Sequence, residues 1–326
     1  MPRPSPLPAL TALLAMAAAA FALALSLGSV AIDPVSVLRA LFAPVDETQR
    51  VIVRELRLPR SVAAFATGGC LALAGALLQV LLRNALADPY VLGVSGGAAV
   101  GALAMILSGA TGLLVSIGAF GGALASTLIV FALARAAGPW SATRILLTGV
   151  VIAAGWGALV ALILSLAPEA QLRGMLFWLI GDLSTPAVAW STLGALALAL
   201  LAALPFARDL NALARGEAIA AAVGVDTARL PWLLFALSAL LTAAAVMTAG
   251  AIGFVGLIVP HAMRLIVGND QRVLLPAASL AGGVLLLLAD TFARRIVAPV
   301  ELPAGVITAL IGVPVFLFLL LRERRG

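Results

Sequence analysis

The sequence predicts an all-α fold, a polytopic membrane bundle of about ten transmembrane helices. Three observations carry that reading. Of 326 residues, 63% are hydrophobic and only 10% charged, against about 25% charged in an ordinary soluble domain. The uncharged stretches are long enough to cross a bilayer, which takes roughly 20 apolar residues. The basic residues fall mainly at the ends of those stretches, where they orient and anchor spans.

The spans follow in order from the charges that bound them. Pro4 to Ile32 is the first; its apolar part is about twice the 7–15 residues of a secretory signal core, so it reads as a retained span. Ser61 to Leu82 is the second. Pro89 to Ala134 carries no charge and holds two spans, divided at Ser108-Gly109-Ala110-Thr111-Gly112. Ile145 to Leu166 is the fifth and Pro186 to Leu204 the sixth. Leu230 to Met263 is too long for one helix and too short for two. Gly250-Ala251-Ile252-Gly253 breaks it into a seventh span and a short buried eighth helix, Leu257 to Val267. Val273 to Ala289 and Val306 to Leu321 complete ten.

An even number of spans puts both termini on one side. Arg322-Glu323-Arg324-Arg325 and Arg3 predict that this side is cytoplasmic. Arg39, Arg50, Arg54, Arg57 and Arg60, with Arg294-Arg295, then lie outside. Two readings of that outer basic surface stay open: an acidic partner or lipid head group, or arginines anchoring helix ends. The net charge of +6 belongs to membrane orientation, not to nucleic acid. All basic residues are Arg, so a P-loop or Schiff-base lysine is excluded. Cys70 and His261 are each the sole residue of their type, which argues against an intrachain disulfide, a protein-only metal site or a catalytic triad.

Gly93, Gly97 and Gly101 recur every fourth residue, as do Gly118 and Gly122, the spacing that lets helix backbones approach in lipid. Arg57-Leu58-Pro59 before the second span is echoed by Arg229-Leu230-Pro231 before the seventh, on the opposite side, as an inverted repeat requires. Arg208 to Arg229 is the one clearly polar, helix-compatible cytoplasmic segment. Within it Gly216 can open a short helix, Glu217 suits its first turn, and Gly224 can close it. Such a helix can take force from a soluble partner; an ordinary loop with one helical turn is the alternative.

Ordered blocks along nearly the whole chain resemble the iron-chelate, haem and cobalamin permease family of type II ABC importers. They are Arg57-Leu58-Pro59-Arg60, Gly75-Ala76-Leu77-Leu78-Gln79, Asn84-Ala85-Leu86-Ala87-Asp88-Pro89, Leu92 to Ala98 and Phe177-Trp178-Leu179-Ile180-Gly181. The most specific is Gly253-Phe254-Val255-Gly256-Leu257-Ile258-Val259-Pro260-His261 with Arg264, followed by Ala289-Asp290, Leu302-Pro303-Ala304-Gly305 and Gly312-Val313-Pro314. Ala85 departs from the family, which usually has Pro there.

The resemblance implies a single permease domain over 1–326 that works as a homodimer in the bacterial inner membrane. Its partners would be two ATPase subunits, which hold the ATP and magnesium, and a periplasmic substrate-binding protein. No cofactor, metal or catalytic residue is expected in this chain. The segment at about 213–226 resembles a coupling helix seated in the ATPase, through Arg215, Gly216, Glu217, Ala218, Ala221, Gly224 and Val225. Arg57, Arg60 and Arg294 resemble residues that receive acidic groups of the binding protein, where such pairs set orientation and on-rate. Asn84, Leu86 and Thr143 sit where the family narrows its path. His261 reads as structural, Asp290 as a salt-bridge or helix-end residue beside Arg294, and Trp156, Trp178 and Trp190 as interface or packing residues. An ion-coupled secondary transporter is the rival class; it is disfavoured because the span centres lack charge.

Overall fold

The computed structural model describes residues 6–28, 31–43, 47–138, 141–184, 187–297 and 300–323, and among them no strand occurs. The chain opens with α1 (Pro6–Ser26) and the short α2 (Pro34–Phe42), whose Asp33 side chain accepts from Val35 N and Ser36 N. α3 (Glu47–Val51) runs through a π-helical turn, Ile52–Arg57, into α4 (Leu58–Leu81). A 3₁₀ turn at Pro89–Leu92 leads to α5 (Val94–Leu107), α6 (Leu113–Ala136), α7 (Ala142–Leu166) and the half-length α8 (Glu169–Ile180). α9 (Ala189–Ala203) continues through a 3₁₀ turn, Leu204–Phe206, into α10 (Ala207–Leu213), then α11 (Glu217–Ala222). α12 (Leu230–Ala249), α13 (Val255–Val267), α14 (Gln271–Ala293) and α15 (Ala304–Glu323) close the bundle.

Seven helices among the described residues are long and apolar enough to cross a membrane, and three shorter apolar ones join them, Val94–Leu107, Val255–Val267 and Ala304–Phe318. Together they fill the ten expected places. The predicted breaks fall where the sequence put them, between α5 and α6 and between α12 and α13. α8 is an addition: it holds Glu169, Gln171 and Arg173 and is too short to span. The sixth helix starts at Ala189 rather than Pro186, which lies outside the described residues, and helical backbone continues past it to Leu213. Arg3 and the tail beyond Glu323 also lie outside the described residues.

α4 is the axis of the bundle, packed on α14, α12, α9 and α13. Its composition explains why. Ala and Gly dominate its length, so neighbouring backbones approach where larger residues would hold them off. A Cβ at Gly75 would strike the Gly256 carbonyl of α13. Hydrogen bonds add register: the Ser238 hydroxyl of α12 donates to Ala74 O at 3.0 Å, and Cys70 Sγ lies 3.8 Å from Thr192 O. Thr192 in turn meets Thr248, ten residues after Ser238, so α12 runs antiparallel to α4. Both helices begin the same way, with Arg just before the first residue and Pro in the first turn. Antiparallel, they put Arg57-Leu58-Pro59 and Arg229-Leu230-Pro231 at opposite ends, the arrangement the echo required.

Around this axis α5 packs on α6 and α1 on α14. α6, α7 and α15 carry exposed large apolar side chains such as Leu128, Leu147, Leu162 and Phe318. Apolar side chains on an outer helical face suit lipid, since the backbone polar groups are satisfied inside each helix. At the α12–α13 break that satisfaction comes from elsewhere: Ile252 N–H donates to the Tyr90 hydroxyl at 2.9 Å.

Candidate functional site

At the end where α4 finishes, the chain builds a small projecting helix. The Gly216 N–H donates to Leu213 O at 3.0 Å, and Gly216 takes φ 126°, a backbone that non-glycine residues rarely adopt. α11 follows and ends in a closed cap: Val225 N–H reaches Ala220 O and Gly224 N–H reaches Ala221 O, each at 3.0 Å, with Gly224 at φ 86°. This pair of bonds around a left-handed glycine satisfies the last carbonyls of the helix. Ala220 is buried and anchors α11, while Arg215, Glu217, Ala218 and Ala221 face solvent. Ile219 and Val223, 49% and 67% exposed, are four residues apart and share one face. Arg215, Gly216, Glu217, Ala218, Ala221, Gly224 and Val225 are therefore brought together on one hairpin. Beside it a cleft of about 790 Å³ is lined by Phe131, Arg135, Glu217, Arg229 and Trp232, with Arg135 stacked 6.0 Å over the Trp232 ring.

The turn after α4 lies at this same end. Asn84 N–H donates to Gln79 O at 3.1 Å, and the Asn84 side chain accepts from Leu86 N–H at 2.9 Å, so the two gate candidates share one turn. Thr143 stands apart, exposed in the first turn of α7. Gln79 links helices: its Nε2 donates to Leu257 O, and Arg264 donates to its Oε1, both at 3.1 Å. α10 is latched to the start of α14 by Asn211, which donates to Asp270 at 2.9 Å and accepts from Gln271 N–H at 2.9 Å. The Asn211 hydrogen bond holds the Asp270 carboxyl below the usual carboxylate range.

At the opposite end the structure shows how the arginines are held. Arg57 and Arg294 are only 6% and 9% exposed. Arg57 donates to Leu25 O at 2.7 Å and Ser26 O at 3.1 Å, closing the C-terminal carbonyls of α1. Arg60 donates to Asp290 at 2.9 Å and to Glu301 at 2.7 Å, and Arg294 pairs with Asp290 at 3.2 Å. Asp290 is fully buried between them. Buried charges need such partners, which explains why these cations turn inward. Arg54 likewise caps α2 through Ala40 O and Leu41 O. Glu301, half exposed, is the member of this cluster that faces out.

The glycine stripe is also refined. Gly97 and Gly101 of α5 meet Gly122 and Gly118 of α6 so closely that a Cβ on any of the four would strike the opposite backbone. Gly93 lies outside the helix proper. It precedes α5 at φ 74°, and its carbonyl accepts from Ser126 Oγ at 2.8 Å, which also receives Trp156 Nε1 at 2.8 Å. Trp156 therefore packs by a specific bond, while Trp190 is exposed. His261 is buried within α13. Among the described residues no group of three or more His, Cys, Asp or Glu stands together as a metal site.

A bundle of apolar helices with charge kept to its two ends, and a short capped helix at one of them, is the architecture of a polytopic membrane protein. The chain belongs to the FecCD transport family, whose family model matches residues 15–322. It is 45% identical over 285 residues to a cobalamin import system permease of Halobacterium salinarum, covering 86% of this chain and 76% of that one. It is 43% identical over 279 residues to a hemin transport system permease of Yersinia pestis, covering 82% and 83%. Among solved structures, a metal-chelate type ABC transporter in an inward-facing conformation superposes with a TM-score of 0.84 at 30% identity, over 97% of this chain and 99% of that one.

Proposed function

We propose that the chain is the permease subunit of an ATP-driven importer, working as a homodimer with two separate ATPase subunits and an outer substrate-binding protein. The observation that carries this reading is α11. A six-residue helix fixed by two left-handed glycines presents Ile219 and Val223 to solvent. Exposed apolar pairs at a bundle end mark a surface built to be covered by a partner. A groove in an ATPase would bury that pair while Arg215 and Glu217 at the helix start fix its orientation. Asn84 and Leu86 would narrow the path near the same end, with Thr143 contributed separately from the first turn of α7, and we assign this end to the cytoplasm together with both termini. The Arg60–Glu301 end then faces outward from the inner membrane. There the docking role expected of Arg57, Arg60 and Arg294 would be indirect: Arg60 holds Glu301 for the binding protein, Arg294 shares Asp290 with Arg60, and Arg57 fixes the end of α1 beside them.

The whole chain acts as one permease domain. ATP and magnesium belong to the partner subunit, and no covalent step falls to this chain. The names of its relatives support a large tetrapyrrole-type metal chelate as cargo, a corrinoid or a haem, with ferric siderophores the alternative. A wide path between two small-residue bundles suits such a cargo.

The test is to purify the tagged protein from its native membrane, identify co-purifying chains, and reconstitute uptake of cobalamin and haem. An ATPase at equal stoichiometry and uptake abolished by ATP depletion support the importer. Ile219→Asp with Val223→Asp should release the ATPase while the bundle stays folded. Uptake that persists without ATP, in a preparation lacking any ATPase, supports the ion-coupled transporter instead.

A further inference from the structure

We propose that a polar cavity between the end of α4, α10 and the start of α14 is a binding site for a phosphate-bearing anion. The cavity measures about 530 Å³, and its walls carry Arg83, Arg215 and Arg264 against a single carboxylate, Asp270. That carboxylate already accepts from Asn211 Nδ2 and Arg272 N–H. Three guanidinium groups facing one acid leave the cavity with net positive potential, and its recessed shape concentrates an anion there. Among the described residues neither Arg83 nor Arg215 pairs with a carboxylate. Guanidinium forks match the spacing of phosphate oxygens, which makes this the favoured anion chemistry.

A second observation is independent of charge. Gln271 lines the same cavity and is 2% exposed, yet its Oε1 has no hydrogen-bond partner. Buried polar atoms in folded proteins are nearly always satisfied, so this orphan just behind the cavity wall leaves a polar partner to be supplied, within reach of the cavity once the carboxamide turns. A half-turn of the carboxamide presents its NH₂ in the same place, so the group serves either a P–OH or a phosphate oxygen. Arg83 is itself held at φ 49°, uncommon for a residue with a side chain.

Position tells what occupancy would do. Arg83 adjoins the Asn84–Leu86 turn, and Arg215 immediately precedes the Gly216 hinge of α11. One anion held by both would tie the gate turn to the coupling helix. The α4, α13 and α14 spans all end around this cavity. That places it at head-group depth, where the phosphate can come from an anionic lipid or from a soluble ester.

The experiment uses the full chain in phosphatidylcholine nanodiscs, with melting followed as inorganic pyrophosphate is added at constant ionic strength set by chloride. Parallel discs are doped with phosphatidylglycerol and receive no pyrophosphate. A saturable rise in melting temperature with pyrophosphate assigns a soluble ligand; a rise only with phosphatidylglycerol assigns a lipid head group. In either case Arg83→Ser or Arg215→Ser should weaken the response roughly tenfold each, the loss expected for one charge-assisted contact. Amide exchange over residues 83–87 and 211–216 should slow together in the occupied wild-type protein. No response to either phosphate source, or an equal response in the Arg83→Ser, Arg215→Ser double variant, overturns the site.

Discussion

Asp290→Ala tests how the Arg60 end is held. The carboxylate is fully buried and serves two arginines, Arg60 at 2.9 Å from α4 and Arg294 at 3.2 Å from its own helix. Removing it leaves Arg60 with Glu301 alone and Arg294 with hydrogen bonds to Asp290 O and Thr291 Oγ1, both stretched to 3.4 Å. Truncating one partner of a buried ion pair costs about 3–5 kcal/mol, because the remaining charge stays desolvated. Glu301→Gln is the internal comparison. That carboxylate is half exposed, so its loss should cost only about 0–1 kcal/mol. Replacing all three buried charges together, Arg60→Met with Asp290→Leu and Arg294→Met, should recover most of the Asp290→Ala loss, since the desolvation penalty leaves with the attraction. Unfolding in mixed micelles of mild detergent and dodecyl sulfate, followed by circular dichroism, ranks the four proteins. An Asp290→Ala variant as stable as Glu301→Gln, or a triple variant less stable than Asp290→Ala, would refute the buried-cluster account.

Three further outcomes follow from the geometry. Gly101→Val should push α5 off the Gly118 carbonyl of α6 and cost about 1–3 kcal/mol, read as a lower melting temperature in fluorescence-detected chromatography. Gly224→Val forces a β-branched residue to φ 86°, costing about 1–2 kcal/mol locally; ATP-driven uptake should fall while the melting temperature of the bundle is nearly unchanged. Asp270 has a folded pKa below its unfolded value, so its latch to Asn211 contributes fully above the unfolded pKa and is lost as pH falls through the folded one. Protection of the α10 amides, relative to their intrinsic exchange at each pH, should therefore fall on acidification, and Asp270→Asn should remove that pH dependence.

What was legible in the sequence follows from what each feature depends on. The spans depend on composition over some twenty residues, so charges and Gly-rich breaks located nearly all of them. α11 depends on two glycines and an acidic first turn, all local, and its ends match Gly216 and Gly224. α8 was missed because Arg173 and Gln171 interrupt its apolar run, and half-helices give no full-length signal. Asp290 beside Arg294 was legible as a salt bridge because the two are four residues apart, but the fate of Arg60 was not. Arg60 and Asp290 are 230 residues apart in sequence, so no local pattern shows that this cation turns inward. Gly93 shows the same limit at short range: a four-residue period cannot tell a helix face from the turn that precedes it, and only the φ of 74° does.

The two ends of the bundle are closed by chemically different means, and that difference bears on which end yields. Near α2 and the end of α14, contacts between elements run through buried guanidinium and carboxylate groups, where breaking one exposes an unpaired charge to a low dielectric. Near α11 the latch between α10 and α14 is a set of hydrogen bonds from Asn211 to Asp270 and Gln271, beside solvent and replaceable by water. Asp270 is itself exposed. Separating α10 from α14 therefore costs less than separating α4 from α14 across the Arg60–Asp290–Arg294 cluster.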